Sequence, residues 1–480
     1  MKSRHLLLIL LVLTACGCGR RDTLPPLTRP IPAPDYVGID SNGFTLNGTP
    51  WFPVMLNYKA FIDCDEVVPS PLYTDGGIRE HFDTIASWGF NSVRVCLDVM
   101  SEGGDTATMF QATRRMVQQA DSAGLRVMLL IKPPFDGYWY DYAAGLMRRL
   151  ADLPALWAYD LMNEPLYFDP KSNRTKDEAV MTVHKWRKLV RQNAPLHLFT
   201  VATAEPIEVF EWDPSMLPVD FIEMHTYHPL RVQAEMWWYS HYCHKPWMVG
   251  ETGLPADGEH VSYEVQQRFM EQTYRYARAM GAVGYGWWEF QDHPDGVNFE
   301  AQYTGLRDVS GHNKPAARLV RQLPSFETDT TPLLPPANYY NMLAYENLAV
   351  TGRIVDKRGK PIEGAVVRGW NDDWSVGINT YSDSEGRFRL VSNDICTHFQ
   401  VSAPGYSMVK FNKNLPYPSG ISLPNRKREY QQLPVVGWGD TDSPLPTKAT
   451  GAIAASHAVG ASLGDISLKK SHPDGPGKKI

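Results

Sequence analysis

The chain has 480 residues, 43% of them apolar and 21% charged, a composition that supports a large packed core and fits one big domain with one small one. A formal net charge of −6 with no long basic stretch sets nucleic-acid binding aside. Aromatic residues make up 11%, with 14 Trp and 23 Tyr, which leans towards a partner with flat C–H faces, as sugars have, although large cores also collect such rings.

Lys2 and Arg4 precede an apolar run from Leu6 to Leu13, which is too short for a membrane span and ends at Thr14, Ala15 and Cys16. A basic flank, a short apolar stretch and small residues describe a secretory signal over residues 1–15. Cys directly after Leu-Thr-Ala resembles a bacterial lipobox. The resemblance implies cleavage before Cys16, lipidation of its thiol and anchoring in the cell envelope, with Gly17 pointing to the outer membrane. The plainer alternative is an ordinary cleaved signal with an incidental cysteine. Residues 16–35 are proline-rich and without period, hence a stiff tether. Cys18, Cys64, Cys96, Cys243 and Cys396 show no metal-like spacing. In an oxidising envelope a Cys64–Cys96 or Cys64–Cys243 bridge and free buried thiols both stand open.

From Phe44 to Trp51 the pattern reads as a small hairpin turning at Asn47 and Gly48 that closes the bottom of the large domain. Strands are then predicted over Pro53 to Tyr58, Asn91 to Cys96, Arg126 to Ile131, Leu156 to Asn163, Leu198 to Ala202, Phe221 to His225, Trp247 to Gly250 and Gly284 to Phe290. Helices are predicted between them over Ile78 to Trp88, Ala107 to Ala123, Tyr140 to Leu150, Lys176 to Asn193, Val232 to Tyr242 and Ser262 to Met280, with Gly89 and Gly124 as stops. Strict alternation implies a parallel α/β sheet. Eight repeats without a glycine-rich phosphate turn fit a closed (β/α)8 TIM barrel, set at residues 36–326, better than an open doubly wound sheet.

Two of these strands end on a carboxylate. The run from Leu156 to Asn163 is apolar without a polar face, as a strand buried on both sides should be, and stops at Glu164 and Pro165. The run from Trp247 stops at Glu251, Thr252 and Gly253. The C-terminal ends of barrel strands are where such a fold places catalytic groups, and a pair of carboxylates is what glycoside hydrolysis needs. A strand-ending glutamate alone could simply cap the next helix. Together, on strands four and seven of eight, the pair resembles clan A retaining glycoside hydrolases, most closely the cellulase and mannanase family 5. The resemblance implies Glu164 as acid/base, Asn163 as donor to the sugar 2-hydroxyl, and Glu251 as nucleophile. It implies Arg94 beneath the nucleophile, where the alternative is a structural ion pair, Tyr227 bonded to Glu251, and His225 lining the site. Trp288, or else Trp287, matches the aromatic floor. Alternation allows only one of the two to face inward, and Trp288 is preferred. An acid near neutral pH needs a dry setting, with Trp157 or Trp287 as its walls.

The family usually carries a histidine at the end of strand three. This chain has Lys132 there, after Ile131, where it could meet an acidic sugar or pair with a carboxylate. The loop from Phe135 to Tyr140 and the pair Trp237 and Trp238 could wall the sugar or pack a surface helix. The resemblance further implies no metal or organic cofactor, a β-linked glucan or mannan as partner, and a monomer. Rival readings are a transglycosylase using the same glutamates and a glycan-binding protein on a barrel without activity.

Prolines and threonines return over residues 327–347, a linker. Short alternating strands with Gly and Asp turns occupy 348–410 and predict a small all-β sandwich. Gly352, Pro361, Gly364, Asp383, Gly386 and Phe388, with Ile354 in place of Val, resemble the carboxypeptidase-regulatory-like domain, which implies an accessory unit, here a spacer. Residues 411–480 read as an irregular extension, disordered from about 447 by composition.

Overall fold

The computed structural model describes residues 33–331, 348–415 and 459–470, except for 75, 100–105, 132–136, 165–175, 204–216, 228–231, 294–301, 373–376, 393–394 and 404. Among these residues the chain opens with a three-stranded antiparallel sheet, β1 (Val37–Asp40), β2 (Gly43–Leu46) and β3 (Thr49–Pro50). The barrel strands are β4 (Val54–Asp63), β6 (Ser92–Val99), β7 (Arg126–Leu130), β8 (Leu156–Asn163), β9 (Leu198–Thr203), β10 (Ile222–His225), β11 (Trp247–Glu251) and β12 (Tyr285–Trp287). Each pairs in parallel with the next, and β12 returns to β4 through Gly286 opposite Met55, so the sheet closes. β5 (Glu66–Pro69) folds back antiparallel on the upper half of β4.

Helices α1 (Ile78–Trp88), α2 (Thr106–Ser122), α3 (Gly137–Leu150), α4 (Lys176–Asn193), α5 (Val232–Tyr242), α6 (Tyr263–Ala279) and α7 (Pro315–Leu319) lie outside the strands. α1 shows how the sequence sets them. Ile78, Phe82, Ile85 and Trp88 recur at helical spacing and are buried, each contributing about 1.5–3 kcal/mol. The Glu80 carboxylate accepts from the Gly77 N–H at 2.6 Å at the start. Gly89 ends the helix at φ 108°, where a Cβ would lie 2.7 Å from Arg321 Cγ. No helix among the described residues is long and apolar enough to cross a membrane.

Strand alternation divides the barrel interior into layers. Met55, Met128, Ala158, Leu198 and Met248 fill the lower layer against β1 and β2, where Phe44 meets Trp157 and Phe221 edge-on at 5.1 and 4.9 Å. Trp157 therefore belongs to the floor plug and walls neither glutamate. Trp287 points outward, with its Nε1 donating to Thr304 O at 3.0 Å and its ring against Phe269, so it walls neither as well.

The second domain is a β-sandwich. One sheet runs β16 (Arg387–Ser392), β13 (Leu348–Asp356), β19 (Val459–Leu468), and the other β15 (Gly377–Tyr381), β14 (Val366–Trp370), β17 (His398–Ser402), β18 (Val409–Asn412). The expectation of disorder beyond 447 fails at β19, which pairs in parallel with β13 from Leu348 opposite Val459 to Asp356 opposite Leu468. Leu463, Ile466 and Leu468 enter the sandwich core, so the strand completes it despite its small, polar composition. The sandwich is docked on the barrel. Trp238 of α5 is fully buried, its Nε1 donates to Gly364 O at 2.9 Å, and Val366 packs with the barrel core. Trp238 thus serves this contact and not a sugar wall, and Trp237 packs on His241 of its own helix at 4.4 Å. Cys64, Cys96, Cys243 and Cys396 are free thiols, so of the alternatives left open neither bridge forms. Cys16, Cys18, Lys132 and Phe135 lie outside the described residues.

Candidate active site

Above the apolar floor the inward positions turn polar, and a buried arginine organises them. Arg94 on β6 has no solvent exposure. Its Nε and Nη2 donate to Asp160 at 3.1 and 2.7 Å, and Nη2 also reaches Asn163 Oδ1 at 2.8 Å. Nη1 donates to Asn57 Oδ1 at 2.8 Å and to Glu251 Oε1 at 2.5 Å. Burial opposes the charge, but Asp160, Glu223 and Glu251 outweigh it and hold the guanidinium ionised.

Asp160, three residues before Asn163 on β8 with a register shift between them, is pushed up to about 7 by its burial, which Arg94 resists and Glu223 reinforces. Glu223 on β10 is fully buried, with one oxygen 3.3 Å from Arg94 Nε and 3.9 Å from His225 Nε2. Its room comes from Gly250 on β11, where a Cβ would sit 2.2 Å from a Glu223 oxygen. Asn57 Nδ2 ties Gly250 O and Trp287 O together at 3.0 Å each.

The two glutamates stand on this layer at the C-terminal rim. Glu251 is nearly buried, and both of its oxygens are held, one by Arg94 and the other by the Tyr227 hydroxyl. Glu164 follows β8 with φ 48°, a left-handed conformation uncommon outside glycine, and its N–H donates to Ala202 O at 3.1 Å. Its side chain is 34% exposed, facing the mouth. His225 lies between them, with Nδ1 2.7 Å from Glu164 Oε1 and 3.3 Å from Glu251 Oε2.

Burial alone would lower the His225 pKa, but Glu251, Glu164 and Glu223 together raise it to about 10. The imidazolium dominates Glu164 in turn. Burial pushes that carboxyl up, yet the bond from His225 and the charges of His225 and Arg94 bring it below the usual range. The expected dry, protonated Glu164 is thus corrected for the free protein, in which the proton rests on His225. Burial and the neighbouring Glu251 raise the Tyr227 hydroxyl well above its ordinary value, which keeps it a donor.

Of the residues singled out in the sequence, Arg94, Asn163, Glu164, His225, Tyr227 and Glu251 converge here. Trp288 sits half-buried beyond β12, with the Lys59 ammonium 4.8 Å above its ring centroid. Asn57, Asp160 and Glu223 were missed. Each is a polar residue between apolar neighbours in a buried strand, a signal that a partner must wait inside. Glu164, His225 and Glu251 bring three potential ligand atoms within 4.8 Å of one another. A cation there would have to displace both the His225 proton and Arg94, so the donor set suits a proton network better than a metal.

No family model and no curated protein matches the chain. Solved structures similar to it include an exo-β-1,4-mannosidase from Opitutaceae bacterium strain TAV5, 20% identical with a TM-score of 0.47 over 61% of this chain and 62% of that one. A β-glucuronidase from Bacteroides uniformis is 15% identical with a TM-score of 0.45, covering 79% of this chain and 47% of that chain. A GH5_18 protein from Streptomyces cattleya in complex with GlcNAc is 16% identical with a TM-score of 0.44, covering 64% of this chain and 86% of that one. The chain thus spans less than two thirds of the length of the first two of these.

Proposed function

We propose that this chain is a retaining β-glycoside hydrolase acting on a neutral β-linked glucan or mannan. The observation that carries the reading is the pair Glu164 and Glu251 on the barrel rim, with carboxylate oxygens no more than 4.8 Å apart. Retaining enzymes hold the two groups about 5–5.5 Å apart, whereas inverting ones leave about 6.5–9.5 Å for a water. Glu251, oriented by Arg94 and Tyr227, attacks the anomeric carbon as the bond to the leaving oxygen breaks. Glu164 delivers a proton to that oxygen, drawn from the pair it forms with His225. Glu164 then deprotonates a water that attacks the same carbon and frees Glu251. Asn163, whose carbonyl is fixed by Arg94, presents its amide N–H to the sugar 2-hydroxyl.

The test uses the chain from Asp35 onward with aryl β-glycosides, glucans and mannans, beside Glu251→Ala and Glu164→Ala. With azide and an activated substrate, Glu251→Ala should release the α-glycosyl azide and Glu164→Ala the β-azide. Wild type and both variants that are equally inert yet bind glycan equally well would sink the hydrolase reading. Attachment to the envelope through Cys16 is part of the same proposal. Radiolabelled palmitate should enter the full-length chain and not its Cys16→Ser variant.

A further inference from the structure

The double-displacement mechanism leaves unused a second set of ionisable groups at the barrel mouth. Lys59 lies two residues beyond Asn57 on β4 and so shares its inward face. Its Nζ is 3.2 Å from Glu289 Oε1 and 2.9 Å from His293 Nε2. The Tyr73 hydroxyl donates to the other Glu289 oxygen at 3.0 Å and accepts from the Lys59 backbone N–H at 3.1 Å. Glu289 and His293 are 1% and 5% exposed, whereas the Lys59 side chain keeps 27% of its surface open. Buried groups thus brace a partly open ammonium whose charge covers one face of Trp288. Both oxygens of Glu289 are occupied, so the ammonium is the exposed member of the set. An ammonium carries three protons, and Glu289 Oε1 and His293 Nε2, themselves 3.0 Å apart, take at most two of them.

Resting on the hydrolase reading, we propose that Lys59 determines specificity by donating its third hydrogen bond to an uncharged hydroxyl of the sugar held beside Trp288, and that the site takes neutral sugars in preference to uronides or sulfated sugars. Charge decides between hydroxyl and anion. Glu289 already balances Lys59, so the pair offers an anionic substituent no surplus positive charge, whereas a hydroxyl needs only the free N–H. A stacked sugar has only the face of Trp288 that Lys59 leaves free.

The experiment compares wild type with Lys59→Met on p-nitrophenyl β-glucoside and β-mannoside, on their monodeoxy analogues and on the β-glucuronide. A hydrogen bond to a charged donor predicts a loss of roughly tenfold to a hundredfold in kcat/KM for Lys59→Met on the parent sugar. Wild type should lose a similar factor on one monodeoxy analogue, to which Lys59→Met is indifferent. Because Lys59→Met leaves Glu289 buried without its cation, Lys59→Met/Glu289→Gln supplies the same parent-to-deoxy ratio in a chain without that charge. Equal parent-to-deoxy ratios in wild type and both variants overturn the proposal, as does a wild type that prefers the glucuronide. If wild type hydrolyses nothing, the hydrolase reading fails separately. The ratio is then read from calorimetric binding of the methyl β-glycosides and their deoxy forms, and equal ratios or tighter binding of the glucuronide overturn the proposal there too.

Discussion

Replacing Arg94 by Met removes the one guanidinium that faces Asp160, Glu223 and Glu251 inside the barrel. All three carboxyl groups are nine-tenths buried or more, and none gains water in exchange. Removing one partner of a buried ion pair costs about 3–5 kcal/mol. That is a large share of the roughly 5–15 kcal/mol that holds an ordinary domain folded. The cost should depend on pH in a definite direction. Burial holds the Asp160 carboxyl at about 7 against an ordinary 3.8, so the folded state binds its proton more tightly than the unfolded chain does. Stability from this group is therefore present at low pH and declines as pH rises from about 4 towards 7. Without Arg94 the carboxyl rises further, so protonation relieves more of the damage at pH 5 than at pH 8. Urea melts of wild type and Arg94→Met at both pH values measure this, with an unchanged slope certifying the comparison. A loss under about 1 kcal/mol, or one no larger at pH 8 than at pH 5, would refute the view of Arg94 as the counterion of this layer.

Two further outcomes are expected. His225 is held at about 10 against an ordinary 6.5, so its stabilisation is complete below pH 6.5 and is lost as pH climbs through 10. Thermal melts across that window should slope downward for wild type and flatten in His225→Asn; parallel curves would contradict a charged imidazole between the glutamates. A chain ending at residue 331 uncovers part of Trp238, whose full burial is of the order of 1.5–3 kcal/mol, and the side of Tyr242 that faces Gly364. Its barrel should melt measurably lower than that of the intact chain, and an unchanged midpoint would show the docking to be energetically idle.

The barrel was legible because its signal is repetition. Each buried strand is a short apolar run followed by a helix of period 3.6, and two strand tips carry glutamates. Glu164 and Glu251 could be read from their positions alone. The network beneath them was harder, since Asp160, Glu223 and Asn57 meet Arg94 only after closure brings distant strands to one level. Alternation separated Trp287 from Trp288, yet it could not show that Trp157 meets the floor plug, which depends on Phe44 arriving from another sheet. The state of Glu164 was misjudged because dryness was weighed and an adjacent cation was not. β19 was missed because composition reports on side chains, and the pairing of β19 with β13 is largely a matter of backbone groups.

That pairing orders the birth of the protein. β13 begins at Leu348 and its neighbour β19 only at Val459, so more than a hundred residues must leave the ribosome after the first strand before the second can reach it. Throughout that interval β13 has an open edge, while the barrel, finished earlier in synthesis, can already fold and offer α5 as a dock. Premature termination within this interval would yield a complete barrel carrying a half-built sandwich whose exposed strand invites association with other chains. The final stretch of translation thus governs the solubility of the product, while the barrel is complete well before it.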